Sequence, residues 1–192
     1  MNHSQLPRPP GDRRVRRSQQ LLRHALLELM SEHAWESIAI RDICERADVA
    51  RSTFYNHFAD KEDLLVAGFA ELRGHLQEAT KATSDALGFL EPLLAHADEH
   101  VQVFKALVGR RTAQVVRQHF VDLVGQVLRP WIERPSPLHG DATARFAAGA
   151  LVETLGWWLE GDRPISRDAL RAPLAQALGE VLKNPPPVGE GA

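Results

Sequence analysis

Apolar residues recur at helical spacing along most of this chain, and no stretch alternates with the period of two expected of a strand. The pattern predicts an all-α protein. A first helix runs from Asp12 or Arg13 to Glu32, with Leu22, Ala25, Leu26, Leu29 and Met30 as its apolar stripe. Ile40, Ile43, Cys44 and Ala47 share one face of a second, short helix. Asp48 follows, a residue able to take the left-handed conformation that closes a helix. A third helix spans Ala50 to Phe58, with Phe54 and Phe58 four apart on its inward face. Asp60, with Asp63 three residues on, reads as the N-cap of a helix from Lys61 to about Lys81.

Longer elements fill the rest. Two helices are predicted between Asp85 and Val108, with Pro92 as a kink or a start, and another from Thr112 to Glu133. Residues 134–141 read as a loop. The last two helices are Asp141–Glu160 and Ile165–Lys183, with Pro173 inside the second. This divides the chain into a basic arm (1–12), a three-helix unit (13–60), a larger helical bundle (61–183) and a Pro-rich tail (184–192). The arm and the tail read as disordered.

Charge sharpens the division. The 192 residues carry a net charge of −2. Up to Lys61 there are ten Lys/Arg against eight Asp/Glu, a balance of +2; beyond it thirteen face seventeen, a balance of −4. The basic residues cluster at Arg8, Arg13, Arg14, Arg16 and Arg17. Such a cluster either reaches phosphates or a minor groove, or is simply a solvated tail. A single cysteine excludes an internal disulfide and fits a reducing cytoplasm. Cys44 itself reads as a packed core thiol. No apolar run is long enough for a membrane span, and the N-terminus lacks the apolar segment of a secretory signal.

Two short helices joined by a tight turn form a helix-turn-helix, whose second helix enters the major groove of DNA. On a helical wheel Ser52 and Asn56 lie opposite Phe54 and Phe58, with Thr53 beside them and Arg51 and Tyr55 on the flanks. Asn can contact adenine through two hydrogen bonds and Arg can contact guanine likewise. The ring of Tyr55, the chain's only tyrosine, can pack while its hydroxyl reaches a phosphate. His57 either bonds a phosphate or packs. Lys61 and the amides at the start of its helix would face a phosphate. Arg41 either reaches DNA or pairs with Glu45 on its own helix.

The stretch ARSTFYNHFADKEDLL resembles the signature of the TetR family of bacterial transcriptional regulators, through Thr53, Phe54, Tyr55, His57, Phe58, Lys61 and Glu62. The resemblance covers about Arg16 to Leu72, and GALVETLGWWLEGDRPIS further on resembles one recurring branch of the family. Asp48 stands where the family usually has Gly, Ala50 where it has Ser or Thr, and Ala39 where Thr is common. Ala cannot cap with its side chain, at a cost of about 1 kcal/mol relative to Ser.

The resemblance implies a DNA-binding unit followed by a helical ligand and dimerisation domain. It implies DNA contacts from Arg16, Arg41, Arg51, Ser52, Thr53, Tyr55, Asn56, His57 and Lys61. It implies a dimer formed by the last two helices, for which Leu151, Leu155, Trp158, Leu174, Leu178 and Val181 are candidates. Gly149, Ala150 and Gly156 would let those helices approach closely. It also implies a pocket for a small-molecule effector, with Phe89, Leu93, Phe104, Phe120, Trp131 and Trp157 as candidate lining. The function expected is a cytoplasmic repressor that binds a palindromic operator as a homodimer and is released by its effector. The alternative is a co-activator or scaffold of the same family, acting through protein partners without reading DNA.

Other chemistry finds little support. His96 and His100 have the i, i+4 spacing of metal ligands, with His119 a candidate third. No HExxH and no cysteine cluster accompanies them, so neither a metal nor a cofactor is expected. No GxSxG and no phosphate-binding glycine loop is present, and the chain is not expected to be an enzyme.

Overall fold

The structure, a computed structural model, describes residues 10–109, 112–132 and 137–183. Those residues form helices and connecting turns, without a strand among them. The chain separates into two compact units, one through Leu65 and one from Val66 onward. The N-terminal arm up to residue 9, residues 110–111, residues 133–136 and the tail from residue 184 lie outside the described residues.

The first unit contains α1 (Pro10–Glu32), α2 (Ile40–Ala47), α3 (Arg51–Tyr55) and the start of α4 (Lys61–Thr83). A 3-10 turn, Trp35–Ser37, leads into α2. The apolar stripe of α1 is buried as its spacing requires, with Leu22, Leu26 and Leu29 each at most 5% exposed. Ile43, Phe54, Phe58 and Leu64 close the same core from the other helices. Ile40 is only half-buried, so the expected stripe on α2 begins at Ile43. Asp48 ends α2 in the left-handed region (φ 51°, ψ 46°), as expected of an Asp in that place, and its N–H bonds back to Glu45 O at 3.3 Å. Arg46 holds Glu32 at the end of α1 through two bonds of 2.9 and 2.7 Å.

The second unit contains the remainder of α4, then α5 (Leu90–Glu99), α6 (Val101–Val108), α7 (Gln114–Leu128), α8 (Pro137–Glu160) and α9 (Arg167–Lys183). α8 is its central element, packed on α6, α7 and α9. Ala147, Leu151, Leu155 and Trp158 recur on its inner face and are at most 1% exposed. Gly156 lets α8 press on the end of α6. A Cβ added there would stand 2.7 Å from the carbonyl oxygen of Val108. The indole of Trp158 donates to Ile165 O at 2.8 Å, so this buried ring has its one donor satisfied.

Several boundaries differ from the sequence expectation, each for a local reason. α3 ends at Tyr55 rather than Phe58, because the next residues turn toward the Asp60 cap of α4. α7 ends at Leu128 rather than Glu133. Pro130 lacks an N–H and crowds the preceding turn, and a 3-10 turn, Arg129–Trp131, takes over. α8 begins at Pro137 within the expected loop, since Pro is well placed at a first helical position. α9 begins at Arg167, two residues later than expected, where the hydroxyl oxygen of Ser166 accepts the Ala169 N–H at 3.2 Å. Pro173 sits inside α9 on its exposed side.

Candidate nucleic-acid interface

α2, the Asp48 turn and α3 form a helix-turn-helix. Their position is fixed from within by aromatic packing. The Phe54 ring is fully buried and meets Phe58 at 5.8 Å between centroids and Tyr55 edge-on at 5.5 Å. This anchoring leaves Arg51, Ser52, Tyr55 and Asn56 exposed together, with Thr53 half-buried at the edge. Tyr55 keeps 52% of its surface exposed although its ring packs on Phe54. Asn56 stands just past the last residue of α3 (φ −70°, ψ −15°). His57 is half-buried, with its ring 6.3 Å from Phe58, so packing accounts for part of its surface.

The caps follow the sequence closely. Ala39 and Ala50 give no side-chain cap to α2 and α3. At α2 the missing hydroxyl is offset by Asp42, whose carboxylate accepts the Ala39 N–H at 3.0 Å. That bond, more than the neighbouring Arg41, holds the Asp42 carboxyl below its ordinary pKa. At α4 the Asp60 carboxylate accepts the Asp63 N–H at 2.8 Å, and Asp63 in return accepts the Ala59 N–H at 3.0 Å. Arg41 is exposed and lies 3.3 Å from Asp42 and 3.6 Å from Glu45. Exposed pairs of this kind contribute little, so they leave the guanidinium available to another anion. Arg16 is exposed on α1. Cys44 is buried, and burial pushes its thiol pKa up, as befits a packed thiol.

Lys61 departs from expectation. Instead of facing outward to a phosphate, its ammonium donates to Trp35 O at 2.6 Å and Ile38 O at 2.8 Å. It also lies 4.7 Å from the centre of the Trp35 ring, a cation–π contact. Burial holds its pKa below the ordinary lysine value. Lys61 therefore fastens the turn before α2 to the first turn of α4. Trp35 was not singled out by sequence, although it is the only tryptophan before Trp131.

In the second unit the structure corrects both sets of candidates. Phe89, Leu93, Phe104 and Phe120 are at most 2% exposed, whereas Trp131 and Trp157 are 37% and 47% exposed. The first four are core and the two tryptophans face outward, so the six do not line one pocket. Two clefts lie elsewhere. One, of about 230 Å³, is lined by Val66, Phe69, Ala70 and Arg73 of α4 and by His119, Asp122, Leu123 and Gln126 of α7. The other, of about 510 Å³, lies between α7 and α8 and includes Asp122, Gly125, Gln126, Arg129 and Arg145. Of the expected dimer residues, Leu151, Leu155, Trp158, Leu174 and Leu178 are buried within the single chain, and Val181 is half-buried. Their apolar surface is already covered by their own chain, so it is not available to a partner. Apolar residues that α8 does expose include Phe146, 65% exposed, together with Ala150 and Trp157. Of the small residues, Gly156 serves the contact with α6, while Gly149 has open space beside it.

The described residues thus comprise a helix-turn-helix in the first unit and an all-helical second unit. The family model described as bacterial regulatory proteins, tetR family, matches residues 22–67. Over 89 residues the chain is 36% identical to YxbF of Bacillus subtilis (strain 168), an uncharacterized HTH-type transcriptional regulator. Over 90 residues it is 33% identical to DhaS of Lactococcus lactis subsp. lactis (strain IL1403), the HTH-type dhaKLM operon transcriptional activator. These matches take in 44% and 45% of this chain, and 23% and 46% of the two relatives. The chain thus matches less than half the length of either. The fold extends further. A TetR transcriptional regulator from Streptococcus agalactiae 2603V superposes with a TM-score of 0.65 at 22% identity, covering 88% of this chain and 97% of the other. The tetR-family match thus rests on residues 22–67, and the rest of the chain is similar to TetR regulators in fold.

Proposed function

We propose that this chain is a cytoplasmic, sequence-specific DNA-binding transcriptional regulator, in which residues 13–60 bind DNA and residues 61–183 dimerise and sense a small effector. The observation that carries this reading is the exposed polar face of α3, held outward by the buried Phe54 and Phe58. Ser52 and Asn56 read bases, Arg41 and Arg51 read bases or phosphates, and Thr53, Tyr55, His57 and Arg16 position the phosphate backbone. Lys61 acts through the turn it fastens.

Two copies related by a two-fold axis read a palindromic operator, with the half-site spacing set by the dimer. The exposed line of Phe146, Ala150 and Trp157 supports α8 as the surface that pairs the copies. The clefts beside α7 support an effector site with a polar lining of Arg73, Asp122 and Gln126. Effector and DNA then weaken each other by the same factor, and the protein acts as a repressor released on effector binding. A second reading is activation through a protein partner, favoured by the activator described for DhaS.

Selection of bound sequences from a random duplex pool tests the proposal. A palindromic winner, bound with strong salt dependence and far more tightly than random DNA, is expected. Weak binding without enrichment would instead turn attention to a protein partner.

A further inference from the structure

We propose that His96, Glu99 and His100, where α5 meets α6, bind a first-row transition-metal dication through two imidazole nitrogens and one carboxylate oxygen. The ligand atoms of the three side chains already lie within 4.8 Å of one another. His96 and His100 are one helical turn apart and so share a face of α5, with ring centroids 4.4 Å apart. The helix is interrupted at His100 (φ −119°, ψ 47°), between Glu99, the last residue of α5, and Val101, the first of α6. That break brings the Glu99 carboxylate to the same side as the two rings. All three residues are exposed, so a hydrated ion can reach them.

The set combines two imidazoles with one carboxylate, a donor mix that suits a metal ion. One face of the His96 ring is also braced, with the Phe104 ring edge-on at 5.7 Å. Phe104 packs in turn on Phe120, so the ligand nearest the core rests on buried aromatic rings. Bonds of about 2.0–2.2 Å to two nitrogens and one oxygen suit Zn²⁺, with water in the open position. Nitrogen donors select zinc, cobalt, nickel or copper over magnesium and calcium. His119, the other candidate ligand, lines the cleft with α4 instead. Sequence spacing found two members of the set, and the break at His100 supplies the third.

The test is a titration of the untagged, chelator-treated full chain with Co²⁺, followed by its visible absorption, and with Zn²⁺ by calorimetry. One equivalent per chain is expected, undisturbed by excess Mg²⁺. His96→Ala and His100→Ala should each weaken binding by about tenfold or more, and Glu99→Gln by less. His24→Ala, at an exposed histidine of α1, should leave it unchanged. The three sites are exposed, so circular dichroism should report an intact fold in each variant. Absence of stoichiometric binding, or binding retained in both histidine variants, would overturn the site.

Discussion

α3 and α8 make opposite use of their surfaces. α3 has five residues and one fully buried ring, and its outward positions are polar. α8 has 24 residues and carries apolar side chains on nearly every face, with Trp158 buried and the adjacent Trp157 exposed. An outward polar side chain is ordinarily just solvated; in α3 it becomes a candidate contact because this is the second helix of a helix-turn-helix. An apolar side chain needs a cover, and its sequence does not say whether that cover is its own chain or a second copy. A candidate interaction surface is therefore easier to read in the first unit than in the second.

The largest effect expected falls on the anchor of this contrast. Phe54→Ala should cost about 3–5 kcal/mol in urea unfolding, because a fully buried ring is removed. DNA binding should be lost with it. A stability loss below about 1 kcal/mol would mean that α3 is not held by this ring. In α8 the inner and outer faces can be separated directly. Leu155→Ala should cost about 2–5 kcal/mol, since Leu155 is fully buried. Phe146→Ala, at an exposed site, should leave monomer stability within about 0.5 kcal/mol and weaken self-association in sedimentation. Equal stability losses in the two variants would erase the distinction between the faces.

Lys61 sharpens the same comparison within the first unit. Lys61→Met removes two bonds from a charged donor and should cost roughly 1.5–3 kcal/mol. It should also weaken DNA binding without changing the slope of log affinity against log salt. A slope reduced by about 1 would return Lys61 to the phosphate contacts. The smallest effect concerns two carboxylates near the surface. Hydrogen bonds from Arg46 and from the Ala39 N–H hold Glu32 and Asp42 below their ordinary pKa values. A depressed carboxylate stabilises the fold fully above its unfolded value, about 4. That contribution disappears as pH falls through the lowered folded value. The urea midpoint should therefore fall only below about pH 4, and Asp42→Asn should flatten part of that fall. An unchanged profile in Asp42→Asn would remove the cap from the account.

Much of the first unit was legible because its determinants are short-range. Asp48 takes the left-handed turn, and Asp60 and Asp63 cap α4 within a few residues of where they stand. Lys61 misled because its partners, the carbonyls of Trp35 and Ile38, are backbone atoms more than twenty residues away. No side-chain pattern marks them. In the second unit periodicity found the helices and missed their roles. Phe104 and Phe120 fit a pocket by type but meet each other at 6.1 Å inside the core. Leu151 and Leu155 fit a dimer seam by spacing, yet they face α8's own neighbours. The clefts beside α7 are lined by Arg73, Asp122 and Gln126, whose polarity reads in sequence as ordinary surface.

The central claim is that the outward face of α3 reads bases. Its most direct measurement is the affinity of Asn56→Ala for the selected operator and for random duplex, at one salt concentration. The account predicts a loss of about 1–3 kcal/mol on the operator, relaxed preference at one position per half-site, and unchanged affinity for random DNA. Equal losses on both duplexes would contradict it.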